Sequence, residues 1–272
     1  MRRALSAALG IGGLGVARTL YEWRRMNSIE EHDAEAFLPT PQQAQSLPLV
    51  HRKGLLTEAE VRSLVEAVPA LRAKGAGVFS RTADSIVPSE AGTWQTTYVH
   101  TDQLFQKNFA PLFKKLRAAA LEADSAHWGI AKEAPGELSV RVIEVHEVSV
   151  AGALNHPYHF DAGSVVTIDL MLSEDEDYTG GEFETLELDG SSNRPNFQQG
   201  DVIIFPSHKY HSVQPVQSGL RRVLIMELWF GETRTCPHRC ELHWGKCSYS
   251  DHYEKWFSRL VHGKEGTPTA EW

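Results

Sequence analysis

The sequence is short of cysteine, with three in 272 residues. A count that is both low and odd excludes a disulfide-stapled secreted scaffold. It also lacks a long apolar run. The longest uncharged stretch near the N-terminus, Ala4 to Ala17, is fourteen residues, short of the roughly 18–20 that a bilayer-spanning helix needs. Positive charge is in deficit, since 27 Lys plus Arg face 35 Asp plus Glu for a net charge of −8. A net-acidic chain is a poor partner for polyanions, which argues against a nucleic-acid role. Charged residues at 23% and hydrophobic residues at 42% are ordinary globular proportions and exclude the disordered and fibrous classes. Histidine, by contrast, is plentiful at thirteen. That number invites a metal, although most of these side chains must be bystanders.

The charge is unevenly spread. Residues 1–25 carry five Arg against the single acid Glu22, a net charge of +4 that leaves −12 on the rest. An Arg-rich, acid-poor segment around a short apolar run suits a secretory or organelle-targeting leader or a short membrane anchor through residues 4–17. A frayed N-terminal helix is the plain alternative, and with it a cytoplasmic location. Residues 1–30 are therefore set apart, and 31–272 are expected to form one domain. Its parts are a helical support at about 55–125, a β-rich body at about 137–232 and a Cys/His-containing extension at 233–272.

Helices come first. Thr57-Glu58-Ala59-Glu60 reads as a capping box. It opens a helix over 58–74 with Val61, Leu64, Val65, Val68 and Leu71 on one face. A second helix is expected from Asp102, as N-cap, to Glu122, kinked by Pro111. A short terminal helix is expected at 250–262. From 137 the texture changes to period-two alternation, as in Leu138 to Val145. Further strands are expected at 164–172, 181–188, 201–205, 211–216 and 221–230, separated by glycine-bearing turns. Two helices followed by many short strands predict a mainly β fold with flanking helices, a closed jelly-roll or cupin-like barrel.

The chemistry centres on His159-Phe160-Asp161. On an extended segment, positions i and i+2 point the same way, so an imidazole and a carboxylate converge on one ion. His211 follows one strand later. Two imidazoles and a carboxylate on one face of a metal leave the opposite positions open, which is the arrangement of non-heme Fe(II) oxygenases. Arg221 lies ten residues beyond His211. Its guanidinium fork matches a carboxylate two bonds at a time, so it can hold the far end of a 2-oxo diacid that chelates the ion.

In these residues the sequence resembles the 2-oxoglutarate and Fe(II)-dependent dioxygenases, particularly the prolyl 4-hydroxylase-like branch. The resemblance runs from about Leu138 to Phe230. It rests on His159-x-Asp161, Gly180-Gly181-Glu182-Phe183, Gly200-Asp201-x-x-x-Phe205 and His211-x-x-x-Pro215-Val216-x-x-Gly219-x-Arg221. It implies a double-stranded β-helix supported by N-terminal helices. His159, Asp161 and His211 would be the metal ligands and catalytic centre, and Arg221 would bind 2-oxoglutarate. The implied reaction consumes O2, decarboxylates 2-oxoglutarate to succinate and CO2, and hydroxylates a substrate, in this branch most often peptidyl proline. Ascorbate is the implied reductant. Many members carry Lys where Arg221 stands. The family often takes a cosubstrate contact from a Tyr on the strand before His-x-Asp. That segment has none here, and Tyr158, Thr167 and Tyr98 are the substitutes considered. The expected partner is a protein, peptide or small-molecule substrate.

Plainer readings accompany each of these. A second His-x-Asp, His100-Thr101-Asp102, is set aside because Asp102 reads as a helix cap. His156 and His208 each precede a proposed ligand by three residues and are placed on the rim and in a loop. Arg141 and Trp229 are candidates for the barrel mouth. The run from Ser173 to Gly190 holds eight acids and no base, the mark of a solvated loop or of an attraction for a basic substrate. Cys236, Cys240 and Cys247 with His238 and His243 supply enough ligands for Zn²⁺. Their spacing follows no familiar zinc pattern, and free or disulfide-paired thiols are the expected state. A cupin-like binding or scaffold barrel without hydroxylase activity is the rival function, although the cupin pattern's paired His-x-His is missing.

Overall fold

A computed structural model of the chain describes residues 37–82, 85–86, 93–132 and 137–240. The N-terminal address or anchor segment, Cys247, His243 and the helix expected at 250–262 lie outside these residues. A single turn, α1 (Pro41–Ala44), precedes the longer helix α2 (Glu58–Ala73). The capping box forms as expected: the Glu60 amide donates to the Thr57 hydroxyl at 3.3 Å, and the Thr57 amide donates to the Glu60 carboxylate at 2.8 Å. Val61, Leu64, Val68 and Leu71 make the buried stripe. Leu64 is fully buried, so Leu64→Ala is expected to cost roughly 2–5 kcal/mol in a urea unfolding titration, through lost burial and the cavity left behind.

The second helix is two helices, α3 (Leu104–Asn108) and α4 (Ala110–Ala123), with the break at Phe109. Pro111 lies in the first turn of α4, where a missing amide hydrogen costs nothing. The expected Asp102 cap does not form. Asp102 and Gln103 both take left-handed backbone angles, φ 46° and 58°, and no side chain caps α3. The Asp102 amide instead donates to the Thr235 carbonyl at 2.9 Å. That tertiary contact displaces the local capping geometry.

The strands, in chain order, are β1 (Val50–Arg52), β2 (Gly77–Thr82), β3 (Ser85–Ile86), β4 (Trp94–Tyr98), β5 (Ser139–Val148), β6 (Val166–Met171) and β7 (Tyr178–Gly180). They continue as β8 (Phe183–Leu186), β9 (Ser192–Asn193), β10 (Val202–Pro206), β11 (His211–Val213), β12 (Val216–Gly219) and β13 (Arg221–Trp229). An eight-stranded sheet runs β1-β10-β6-β13-β5-β4-β2-β3, beside the smaller ladders β11-β8-β9 and β12-β7. All of the pairings are antiparallel. The segment 50–98 was expected to give only loop and helical support, yet it adds β1 to one edge of the sheet and β4-β2-β3 to the other. Unpaired edges of a large sheet recruit whatever extended chain lies beside them. The strand expected at 211–216 splits into β11 and β12, because Pro215 has no amide to continue a ladder.

Period-two alternation assigns the faces of the large sheet. Ile143, Val145, Ile168, Leu170, Val202, Ile204, Leu224 and Met226 point outward and pack with Leu64, Leu71, Phe105 and Leu116 of the helices. Their neighbours point inward. Ile203, Phe205, Met171 and Val223 meet Phe183 and Val213 of the small ladder across an inner core. Within these inward rows the polar residues stand out: Glu144 and His146 on β5, Thr167 and Asp169 on β6, Arg221 and Glu227 on β13. Together they line one cavity between the sheets. The fold thus gathers a charged interior from three adjacent strands.

Candidate active site

His159, Asp161 and His211 come together at one end of this cavity, with a donor atom of each within 4.8 Å of the others. His159 Nε2 is 3.4 Å from Asp161 Oδ1, and His211 Nε2 is 3.8 Å from Asp161 Oδ2. His211 opens β11, and its Nδ1 donates to the Lys209 carbonyl at 3.0 Å. That bond fixes the tautomer and leaves Nε2 with its lone pair toward Asp161 and His159. Phe205 and His159 crowd the His211 ring at 4.9 Å each. Burial therefore pushes His211 down to about 4, against the pull of Asp161. A neutral imidazole at neutral pH is what a metal needs.

Asp161 is held on both sides. Its amide donates to the Ser207 carbonyl at 2.8 Å, and the Thr167 hydroxyl donates to Oδ2 at 2.7 Å. Thr167 in turn is 2.9 Å from the Ser207 hydroxyl. Burial favours the neutral acid, but His211 and His159 outweigh it and keep Asp161 well below the usual carboxylate range. Thr167, expected from sequence as a cosubstrate contact, lines the cavity with its hydroxyl bonded to the Asp161 carboxylate.

Arg221 begins β13 and lines the same cavity, 1% exposed. Its Nε and Nη2 have no hydrogen-bond partner among the described residues. Two unanswered donors on a buried cation are costly unless something comes to meet them. The Gly180-Gly181 turn makes room for this side chain. Gly181 has φ +67°, and a Cβ there would stand 2.8 Å from Arg221 Cδ. The rest of the guanidinium interacts with the Tyr178 phenol, whose pKa burial raises while Arg221 pulls it down.

Asp169 is the inward carboxyl two residues after Thr167. Burial, with Arg221 opposing and Asp161 and Glu227 adding to it, pushes it up to about 8. It is therefore mostly protonated at neutral pH, and a neutral acid does not offset the Arg221 charge. Its folded pKa lies above the unfolded carboxyl value of about 3.9, so the folded state keeps a proton that the unfolded state gives up. On its account stability falls as pH rises from about 4 to about 8. Asp169→Asn in metal-free protein should match wild type in urea unfolding near pH 4 and exceed it by several kcal/mol above pH 8. An unchanged difference across that range would show that Asp169 ionises normally.

A second charged cluster flanks the triad. Arg239 reaches in from beyond β13. Its Nη2 is 2.6 Å from Glu227 and 3.7 Å from Asp161, and its Nη1 is 3.4 Å from Glu144. Burial opposes ionisation of Glu144, yet Arg239 and His146 outweigh it and hold it at about 2. Trp94, Tyr98, Phe79 and Leu154 form the less polar wall.

Several expected residues lie elsewhere. Tyr158 is 59% exposed and packs edge-on to His156 and Tyr210, outside the cavity lining. Tyr98 does line the cavity. Arg141 is buried beneath it, bonded to the Ala162 carbonyl and Ser164. Trp229 is fully buried with Arg234 stacked over it, so neither sits at a mouth. His208 binds the Pro39 carbonyl at 2.9 Å, and His100 bonds the Ile143 backbone. The acidic run is partly internal pairing, with Glu184 on Arg194, Ser212 and Gln214, and Glu187 on buried Lys209. Sequence reasoning missed Asp169, Tyr178, Glu144, Glu227 and Arg239. The signal for Asp169 was present, as a lone acid among apolar residues of one strand.

No protein-family model matches the chain. Curated relatives do. A PKHD-type hydroxylase of Synechococcus sp. (strain CC9902) is 33% identical over 72 residues, 26% of this chain and 32% of that protein. The PKHD-type hydroxylase YbiX of Escherichia coli O6:K15:H31 is 33% identical over 84 residues, 30% of this chain and 37% of that protein. Each match spans about a third of the relative's own length. Among solved structures, a prolyl hydroxylase from Trichoplax adhaerens in complex with a peptide fragment superposes with a TM-score of 0.50 at 14% identity, over 70% of this chain and 87% of that one. Over these short stretches the chain is similar in sequence to PKHD-type hydroxylases, and in fold it is similar to a prolyl hydroxylase. Its sheet arrangement is a double-stranded β-helix, with the helices packed on the outer face of the larger sheet. Among the described residues no helix is long and apolar enough to cross a membrane.

Proposed function

We propose that this chain is an Fe(II)- and 2-oxoglutarate-dependent hydroxylase acting on peptidyl proline, with ascorbate as reductant. The observation that carries the reading is one cavity holding both His159–Asp161–His211 and a buried guanidinium with two unpartnered donors. The donor set fits the ion. Two imidazoles and one carboxylate on one side suit ferrous iron and leave room for a chelating cosubstrate and O2. The guanidinium fits the far carboxylate of a 2-oxo diacid.

When bound, ferrous iron and 2-oxoglutarate together supply O2 activation, giving succinate, CO2 and a hydroxyl on the substrate. The chain's own residues set the stage for this. Thr167 and the Lys209 carbonyl orient two ligands, and Arg221 fixes which end of the diacid faces inward. Protonated Asp169 leaves Arg221 free for that carboxylate. Trp94 and Tyr98 give an aromatic wall suited to an apolar ring such as that of proline. The matched Trichoplax enzyme is a prolyl hydroxylase in complex with a peptide fragment, which favours a peptide here too. The N-terminal segment 1–30 would deliver or anchor the catalytic unit that follows it.

The test is a reconstitution with Fe(II), 2-oxoglutarate and ascorbate, following CO2 and succinate release with and without a panel of proline-containing peptides. Turnover coupled to a +16 mass product on proline supports the full reading. Turnover with other products would keep the hydroxylase and discard proline. No turnover with any substrate would favour a cupin-like binding or scaffold barrel.

A further inference from the structure

Just beyond β13 the chain leaves the sheet and bends at residues 236–238. Along a straight strand, Cys236 and Cys240 would stand roughly 13 Å apart, at about 3.3 Å per residue. The bend instead folds them toward each other, so that Sγ of both cysteines and a ring nitrogen of His238 lie within 4.8 Å of one another. A tetrahedral ion about 2.3 Å from two sulfurs sets them roughly 3.8 Å apart, so a small adjustment closes the three around it. Cys236 and Cys240 are 8% and 1% exposed, in a segment with no regular secondary structure of its own to hold them.

We propose that Cys236, His238 and Cys240 form a second metal site, separate from the His159–Asp161–His211 centre, that takes Zn²⁺ and fixes Arg239 in the cavity. Two thiolates and an imidazole are soft and borderline donors that select zinc over the hard cations, and they leave one tetrahedral position for a further donor. Binding converts both thiols to thiolates and releases their protons to solvent. Arg239 stands between two of the three ligands in sequence, and its guanidinium lies against Glu227, Glu144 and Asp161. An ion tying the residues on either side of Arg239 would lock that placement where no strand does.

Full-length protein expressed with zinc and iron supplied should carry tightly held zinc by elemental mass spectrometry. Cobalt substitution should produce a thiolate-to-metal charge-transfer band with tetrahedral d–d absorption. Cys236→Ser/Cys240→Ser should lose both the zinc and the band, whereas His159→Ala should keep both, since it disturbs only the other centre. Trypsin should cleave after Arg239 at least tenfold faster in the double-serine variant than in the zinc-loaded wild type. Zinc content unchanged in the double variant, or wild-type protein without a thiolate band, would overturn the site. Equal cleavage after Arg239 with and without zinc would overturn the clamp. The cobalt spectrum of wild type decides the matter even if the double variant does not fold. None of these readings depends on hydroxylase activity, so loss of that activity assignment leaves them intact.

Discussion

His159→Ala protein should release no CO2 from 2-oxoglutarate above the rate of buffer with iron. The reason is geometric. His159 is one of three donors gathered within 4.8 Å, and two donors do not hold ferrous iron against water and buffer. Removing a group that only orients a ligand typically costs 10–100-fold in metal affinity, and removing the ligand itself should cost more. Thr167→Val tests the lower figure. It keeps the shape and deletes the 2.7 Å bond to Asp161, so iron affinity should drop roughly 10–100-fold while turnover at saturating iron largely survives. Isothermal titration of Fe(II) under nitrogen gives the affinities, and the decarboxylation assay gives the rates. Full turnover in His159→Ala would remove the triad from the chemistry.

Arg221→Ala should raise the 2-oxoglutarate requirement far more than the iron requirement. Its Nε and Nη2 have no partner among the described residues. A charged hydrogen bond contributes roughly 1.5–3 kcal/mol, so losing two corresponds to about 10²–10⁴-fold in the KM for 2-oxoglutarate. Iron affinity should move only a few-fold, because Arg221 touches none of the three ligands. Arg221→Lys should fall between, since it keeps the charge and loses the fork. Steady-state decarboxylation with each component varied in turn separates the two requirements. Equal shifts in both would mean that Arg221 supports the fold and does not hold the cosubstrate. Part of any loss will be structural, because the guanidinium also meets Tyr178 and offsets the charge of Asp169 above about pH 8.

Much of this arrangement is legible in the chain because it depends on short spacings. His159 and Asp161 are two residues apart, so a short stretch of chain is enough to bring both to one place. Alternation in 139–148, 166–171 and 221–229 names the strands and their inward rows without any knowledge of partners. The Thr57–Glu60 box marks a helix start because both of its bonds are local. The failures have a common cause. Asp102 looked like a cap, but a contact with Thr235, distant in sequence, took its amide and turned the backbone left-handed. Tyr158 carries the right chemistry and sits beside the first ligand, yet the turn at Pro157 faces it outward. Strand β1 and strands β2 to β4 belong to the sheet only because an edge was there to pair with.

By itself, then, the sequence pointed to the class of fold, to the pairing of His159 and Asp161 with His211, and to the place of the guanidinium. It did so because period-two alternation and short fixed offsets are properties of local stretches of chain. Only the tertiary structure decided what surrounds them. Asp169 and Tyr178 beside Arg221, Glu144, Glu227 and Arg239 beside the triad, and Cys236, His238 and Cys240 drawn together are matters of which strands and bends become neighbours. The pattern along one chain does not specify those meetings, since each depends on burial and pairing across tens of residues. Packing of the large sheet against the small ladders brings the inward rows into one cavity, and there burial and neighbouring charges together set each group's charge.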